Sequence, residues 1–186
     1  MPSRQEVLLD VAIEILGSQG VRALTHRAVD TAAALPAGST ANYYKTRESL
    51  LAAIVARFAD RDRATWQTIA SFVRPASPAE LATALVAYVR RALGPERTVT
   101  VARYTLFLEA AVRPELREPL ARSAQQLREW ATAWVRDVGS TDPGADCVAI
   151  LDYLDGLLLH QITFPGVLDD VEAAVERDVR RLCGGV

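Results

Sequence analysis

THRAVDTAAALPAGSTANYY, residues 25–44, is the stretch from which the fold can be read. Thr25 is a helix-capping type of side chain, because its hydroxyl oxygen can accept from a backbone N–H two or three residues on. Ala28, Val29, Ala32 and Ala33 follow at helical spacing and form a narrow face of small side chains. Ala34-Leu35-Pro36 predicts a tight turn, with Leu35 directed into a core, since proline cannot continue a hydrogen-bonded helix. A second short helix is predicted over residues 39–43. Gly38, Ser39, Thr40, Ala41 and Asn42 are all small or hydrogen-bonding. Two short helices across a tight turn make a helix-turn-helix. A bulky apolar second helix could not enter the major groove and meet base edges, whereas this one can.

Working outward, donors suited to phosphate surround the turn: Thr25, His26, Arg27, Tyr43, Tyr44, Lys45 and Arg47. Between Arg22 and Arg47 the cations are Arg22, Arg27, Lys45 and Arg47, and Asp30 is the only carboxylate. The segment is therefore basic although the chain as a whole carries a formal charge of −2. Local charge rather than net charge governs docking on a polyanion. Each residue also has a plainer reading. Arg27 and Lys45 suit a solvated surface, His26 suits a helix start facing water, Ser39 and Thr40 suit caps of a short helix, and Tyr44 suits the core. The crowding of all of them around one turn favours DNA.

The rest of the chain reads as helices separated by breakers, and strand-like alternation is nearly absent. A first helix is expected over about 3–16, closed by Gly17 and Gly20. A second follows Thr25 to about residue 34. Thr46 caps a long fourth helix that runs to about residue 73. Ser77-Pro78 opens a fifth that ends at Gly94-Pro95, and a sixth covers about 98–112. Pro114 and Pro119 lie near the start of a seventh that ends at Gly139. Asp142-Pro143 opens an eighth that ends near Phe164, and Asp169 caps a ninth that ends at Gly184-Gly185. The fold class is all-α with about nine helices. Short helices give way to long ones at Thr46, which predicts a DNA-binding domain over 1–46 and a larger helical domain over 47–186. No linker separates them, so the fourth helix belongs to both.

Composition narrows the function. Half of the residues are hydrophobic, enough for a sizeable core, and no low-complexity tract stands out. Cys147 and Cys183 lie far apart and match no metal-ligand spacing. The N-terminus lacks the apolar run of a secretory signal, and the charge-free stretch over 156–168 is too short to span a bilayer. A cytoplasmic protein without a membrane partner is expected. The only histidines, His26 and His160, fall in different segments, and neither a phosphate-cradling glycine loop nor a Glu-x-x-His pair occurs. No catalytic residue, metal or cofactor is therefore expected. Two other classes stay open: a helical protein-interaction module and, less favoured, a helical-bundle enzyme.

The stretch from about residue 7 to 51 resembles the DNA-binding domain of the tetracycline-repressor (TetR-like) family. The resemblance rests on Thr25, Val29, Ala33-Ala34, Leu35, Gly38, Ser39, Tyr43-Tyr44, Arg47 and Leu50 at the family's spacing. Three positions depart from the pattern. Ala34 stands where glycine is common, Ala41 where an aromatic is common, and Arg47 where lysine is frequent. A left-handed conformation at Ala34 would be costly. The resemblance implies a transcriptional regulator, a repressor released from double-stranded operator DNA by a small-molecule effector. Beside the resemblance, the chemistry of the residues themselves gives as expected DNA contacts Thr25, His26, Arg27, Gly38, Ser39, Thr40, Asn42, Tyr43, Lys45 and Arg47, with Thr40 and Asn42 setting sequence preference.

The resemblance also implies a homodimer built on the eighth and ninth helices. Candidate interface residues there are Leu151, Leu154, Leu158 and Ile162, with Val171, Val175 and Val179. The eighth helix is apolar on more than one face, so more than one neighbour must cover it. Aromatic candidates for an effector pocket are Phe58, Trp66, Tyr104, Phe107, Trp130, Trp134 and Tyr153, with Tyr88 and His160 as further possibilities. Any single aromatic is more often plain core than pocket wall.

Overall fold

The computed structural model describes residues 2–166 and 170–183, without the Cys183 side chain. Among the described residues it holds nine α-helices: α1 (Arg4–Gln19), α2 (His26–Ala32), α3 (Ser39–Tyr43), α4 (Arg47–Phe72), α5 (Pro78–Leu93), α6 (Arg97–Val112), α7 (Arg117–Asp137), α8 (Pro143–Thr163) and α9 (Val171–Cys183). Single 3-10 turns at Val21–Ala23 and Pro114–Leu116 were not anticipated from the sequence.

The helix starts follow local chemistry. Ser3 and Glu6 form a reciprocal capping box, and the Thr25 hydroxyl accepts from the Ala28 N–H. Thr46 and Ser49 cap each other at the start of α4. Ser77 and Asp142 accept from Glu80 and Ala145, each just before a proline in the first turn. Asp170 accepts from the Ala173 N–H and so caps α9. The cap expected at Asp169 and the stop expected at Gly184-Gly185 lie outside the described residues.

The chain divides into two compact units, Met1–Arg63 with Thr98–Ser123, and Ala64–Arg97 with Ala124–Val186. The continuous helix α4 contributes residues to both. In the first unit, one core joins Leu8, Ile13 and Leu16 of α1, Val29 of α2, Leu50, Ile54 and Phe58 of α4, and Leu106 of α6. Phe58, one of the aromatic pocket candidates, is buried in this core. Gly17 does not close α1 but lies within it. A Cβ built there would stand 1.9 Å from the Thr98 carbonyl oxygen, so α1 and the start of α6 approach as closely as they do only because position 17 has no side chain. Gly20, at φ 79°, is what ends the helix.

An ionic cluster fastens α1 to α4 within the same unit. Arg57 holds Asp10 through two hydrogen bonds of 2.9 Å and reaches Glu6 at 2.8 Å, while Arg61 meets Asp10 at 3.1 Å. Partial burial works against the charge of Asp10, but the two guanidinium groups outweigh it and hold the carboxyl below its usual range. In the second unit, α5 packs against α8 and α9. Arg90 of α5 clasps Glu172 of α9 through both carboxylate oxygens. Cys147 is a buried free thiol.

Gly17→Ala is expected to lower the unfolding free energy by about 2 kcal/mol or more in chemical denaturation, because the obstruction is backbone that cannot rotate away. Gly144→Ala, where the nearest atom to the added carbon is an Asp142 carboxylate oxygen at 3.8 Å, an ordinary contact, is the matched control and should not destabilise.

Candidate nucleic-acid interface

α3 has only five residues, too few to hold a helix by its own hydrogen bonds. A buried carboxylate holds it instead. Asp30, at the inner face of α2, is 3 % exposed. One of its oxygens accepts from the Gly38 N–H at 2.7 Å. The other accepts from the Thr40 N–H at 2.7 Å and from the Thr40 hydroxyl at 2.5 Å. Two of the backbone donors that a helix start leaves unsatisfied are thereby bound, across the turn, by the helix before it. Burial pushes the Asp30 carboxyl up, but the bonds from Thr40 and Gly38 outweigh that and hold it below the ordinary carboxylate range.

Further ties fix the same unit. The His26 ring donates from Nε2 to the Tyr44 carbonyl at 2.7 Å, joining the start of α2 to the end of α3. The Ser39 hydroxyl donates to the Pro36 carbonyl at 2.7 Å. Arg47 donates from Nη2 to the Val21 carbonyl at 2.8 Å, a reach that uses the guanidinium fork. The turn between α2 and α3 places Ala34 at φ 52°, the left-handed conformation that its Cβ resists. Leu35, as expected, packs against the core.

These contacts sort the residues expected to meet DNA. Thr25, Arg27, Gly38, Asn42, Tyr43, Lys45 and Arg47 are exposed, and His26 is half-buried. Thr40 is fully buried and Ser39 nearly so. The assignment of sequence preference to Thr40 is therefore corrected: its hydroxyl is spent on Asp30 and its side chain faces the core. Asp30 was legible only as an acid among cations. Its burial removes the sole carboxylate of residues 22–47 from the surface and leaves that surface cationic. Arg22, Arg27 and Lys45 form no ion pair among the described residues.

The family model described as "Tetracyclin repressor-like, C-terminal domain" matches residues 76–185, more than half of the chain. The chain belongs to the TetR family. Its members are transcriptional regulators, and the resemblance read from the helix-turn-helix agrees with this match in the other part of the chain. The TetR chain is 28% identical over 166 residues to the HTH-type transcriptional regulator BetI of Rhizobium meliloti (strain 1021), covering 86% of itself and 78% of that protein. It is 25% identical to the multidrug binding protein EbrR, solved in complex with ethidium, with a TM-score of 0.72 over 97% of this chain and 98% of EbrR. A transcriptional regulator from Rhodococcus sp. Rha1 shares the fold, with a TM-score of 0.75 at 19% identity over 98% and 95% of the two chains. No helix of the described residues is long and apolar enough to cross a membrane.

The other expected sites fall out unevenly. Trp66 and Tyr88 stack with centroids 5.1 Å apart in the second unit. Tyr104 and Phe107 meet edge to face at 6.1 Å on α6 of the first unit, with the Arg103 guanidinium 5.1 Å over the Phe107 ring. Trp130 and Trp134 are half-buried one turn apart on α7. Burial, with the Asp178 carboxylate nearby, raises the Tyr153 phenol to about 12. Leu154, Leu158, Val175 and Val179 are buried within the chain itself, which corrects their assignment to a dimer interface. Leu151, Ile162 and Val171 are half-buried.

Two outcomes are expected at the turn. Asp30→Ala should cost about 2–4 kcal/mol, because it strands buried donors that had bonded a charge. In the unaltered protein, the folded-state value of Asp30 lies below that of the unfolded chain. Its contribution is therefore complete above the ordinary carboxylate range and is lost as pH falls through the lowered value, which a pH series of denaturation curves on both proteins would show. Ala34→Gly should raise stability by about 1 kcal/mol by thermal unfolding, since only glycine adopts that conformation freely.

Proposed function

We propose that this TetR-family regulator is a homodimeric, cytoplasmic repressor that grips a two-fold operator through α2 and α3 and leaves it when an effector binds. Residues 1–46 would serve the DNA, and residues 47–186 the effector and the partner protomer. Binding rather than catalysis is the role, without a cofactor. The observation that carries this reading is the cationic edge around a recognition helix that is buttressed from behind by Asp30 and His26. Arg27, Lys45, Thr25 and Tyr43 are the proposed phosphate contacts, with Arg47 adding charge. Gly38 allows the close approach of backbone to DNA, and Ser39 and His26 act by positioning.

For the dimer, α8 supports a different face from the one the sequence suggested. Val148, Gly156 and Leu159 are exposed along one side of the helix, and Phe164 is exposed at its end. A glycine inside a helix costs about 1 kcal/mol relative to alanine. Nothing within the chain approaches Gly156, so the requirement for a small residue would come from the second α8 of a two-fold pair. Half-buried Leu151 and Ile162 border that side, and half-buried Val171 begins α9. Such a pair would set the two α3 helices about one DNA turn, or about 34 Å, apart, or at a family-specific multiple.

For the effector, EbrR was solved with the flat aromatic cation ethidium. By analogy we infer a largely apolar, planar effector held by aromatic side chains, with Trp130, Trp134 and the Trp66–Tyr88 pair as the leading candidates. Only an effector with unequal affinity for the DNA-bound and free conformations could release the operator.

Three tests follow from these roles. Duplex affinity should fall with salt with a log–log slope of about −5 for three cations per protomer, six per dimer, and Lys45→Ala should reduce that slope by about 2 per dimer on every sequence alike. A flat salt dependence would point to a protein partner instead. Gly156→Leu should convert the dimer to monomer by analytical ultracentrifugation without lowering the helical content. Proflavin or ethidium should quench the intrinsic fluorescence, because all three tryptophans of the chain are pocket candidates.

A further inference from the structure

The burial pattern of α3 leaves very little with which to read a sequence. Ser39 and Thr40 face inward, and their hydroxyls are donated to Pro36 and Asp30. Tyr44 ends the helix half-buried against the core. The outward positions of the turn and helix are Ala34, Pro36, Ala37, Gly38, Asn42 and Tyr43, with Ala41 half-exposed. Five of these seven carry no hydrogen-bonding side chain, and the Gly38 N–H is committed to Asp30. Tyr43 has a single hydroxyl and so cannot form a two-bond planar pairing with a base. Asn42 is different. Its amide presents a donor and an acceptor side by side, it is exposed, and it has no partner among the described residues.

We propose that Asn42 is the specificity-determining residue of this protein and that it reads one adenine in each operator half-site. The Asn42 amide nitrogen would donate to adenine N7 while its oxygen accepts from the adenine N6 amino group, the pairing that the major-groove edge of adenine fits and guanine does not. Ala37 and Ala41 offer methyl groups and no polar atom, so their neighbouring positions suit thymine methyls. The operator key is thus a short A·T-rich element with one hydrogen-bonded base pair per half-site, and the remaining discrimination comes from half-site spacing and duplex shape. This rests on the DNA-binding reading above.

The test uses the full-length protein and a library of randomised duplexes. The best-bound duplex is selected, each position is varied through all four bases, and affinities are measured by fluorescence anisotropy for the unaltered protein and for Asn42→Ala. Asn42 is exposed and unbonded, so the variant should keep its melting temperature. The expected result is one adenine per half-site preferred by about 5- to 150-fold, with that preference abolished in Asn42→Ala. Replacing that adenine with 7-deazaadenine, which lacks N7, should weaken the unaltered protein and leave Asn42→Ala unchanged. A preference retained in Asn42→Ala, or one for a base other than adenine, overturns the assignment while leaving DNA binding intact. Failure of the unaltered protein to enrich any duplex in a salt-dependent way overturns the DNA-binding reading itself.

Discussion

A carboxylate buried under a five-residue helix is the constraint on which the DNA-facing end of this protein depends. α3 begins and ends within little more than one turn, and its outer side faces water. Such a segment would fray in isolation, since nucleation costs more than one turn returns. Asp30 supplies what the sequence of α3 cannot. It binds the amides of Gly38 and Thr40 together with the Thr40 hydroxyl, and His26 closes the other end on the Tyr44 carbonyl. The same contact withdraws a negative charge from the cationic surface around the turn. One side chain therefore settles both the shape and the sign of the interface.

The remainder of the first unit carries that rigidity toward α4. Gly17 lets α1 and the start of α6 touch, and the Arg57–Asp10–Glu6 cluster ties α1 to α4. Arg47 adds a link from the first turn of α4 to the 3-10 turn at Val21–Ala23. Within that unit α1 is therefore held to α4 through charged contacts as well as through apolar packing.

The parts of this architecture that were legible in the sequence are those set by neighbours a few residues away. Thr25, Thr46, Ser77 and Asp142 announced helix starts because a cap and its amide are three residues apart. The span of α3 was readable because glycine and an aromatic pair bracket it. The role of Thr40 was not readable, since its partner lies ten residues back and only the folded turn brings them together. Gly17 looked like a helix stop because the residue it accommodates, Thr98, is remote in the chain. On α8, leucines on several faces concealed which side was turned inward. The structure buries Leu154 and Leu158 and leaves Val148 and Leu159 outside. Ala34 was recognised as a departure from the family pattern, and its positive φ shows the conformation that a glycine would have relieved.

Amide hydrogen exchange at Gly38 and Thr40, followed by NMR across a pH series with intrinsic rates corrected, addresses the Asp30 buttress most directly. If the carboxylate holds α3, both amides are protected at neutral pH as strongly as the core of α2, and they lose protection together on acidification while Val29 stays protected. Rapid exchange at Gly38 and Thr40 at neutral pH, or protection indifferent to pH, would show that the recognition helix is held by something else.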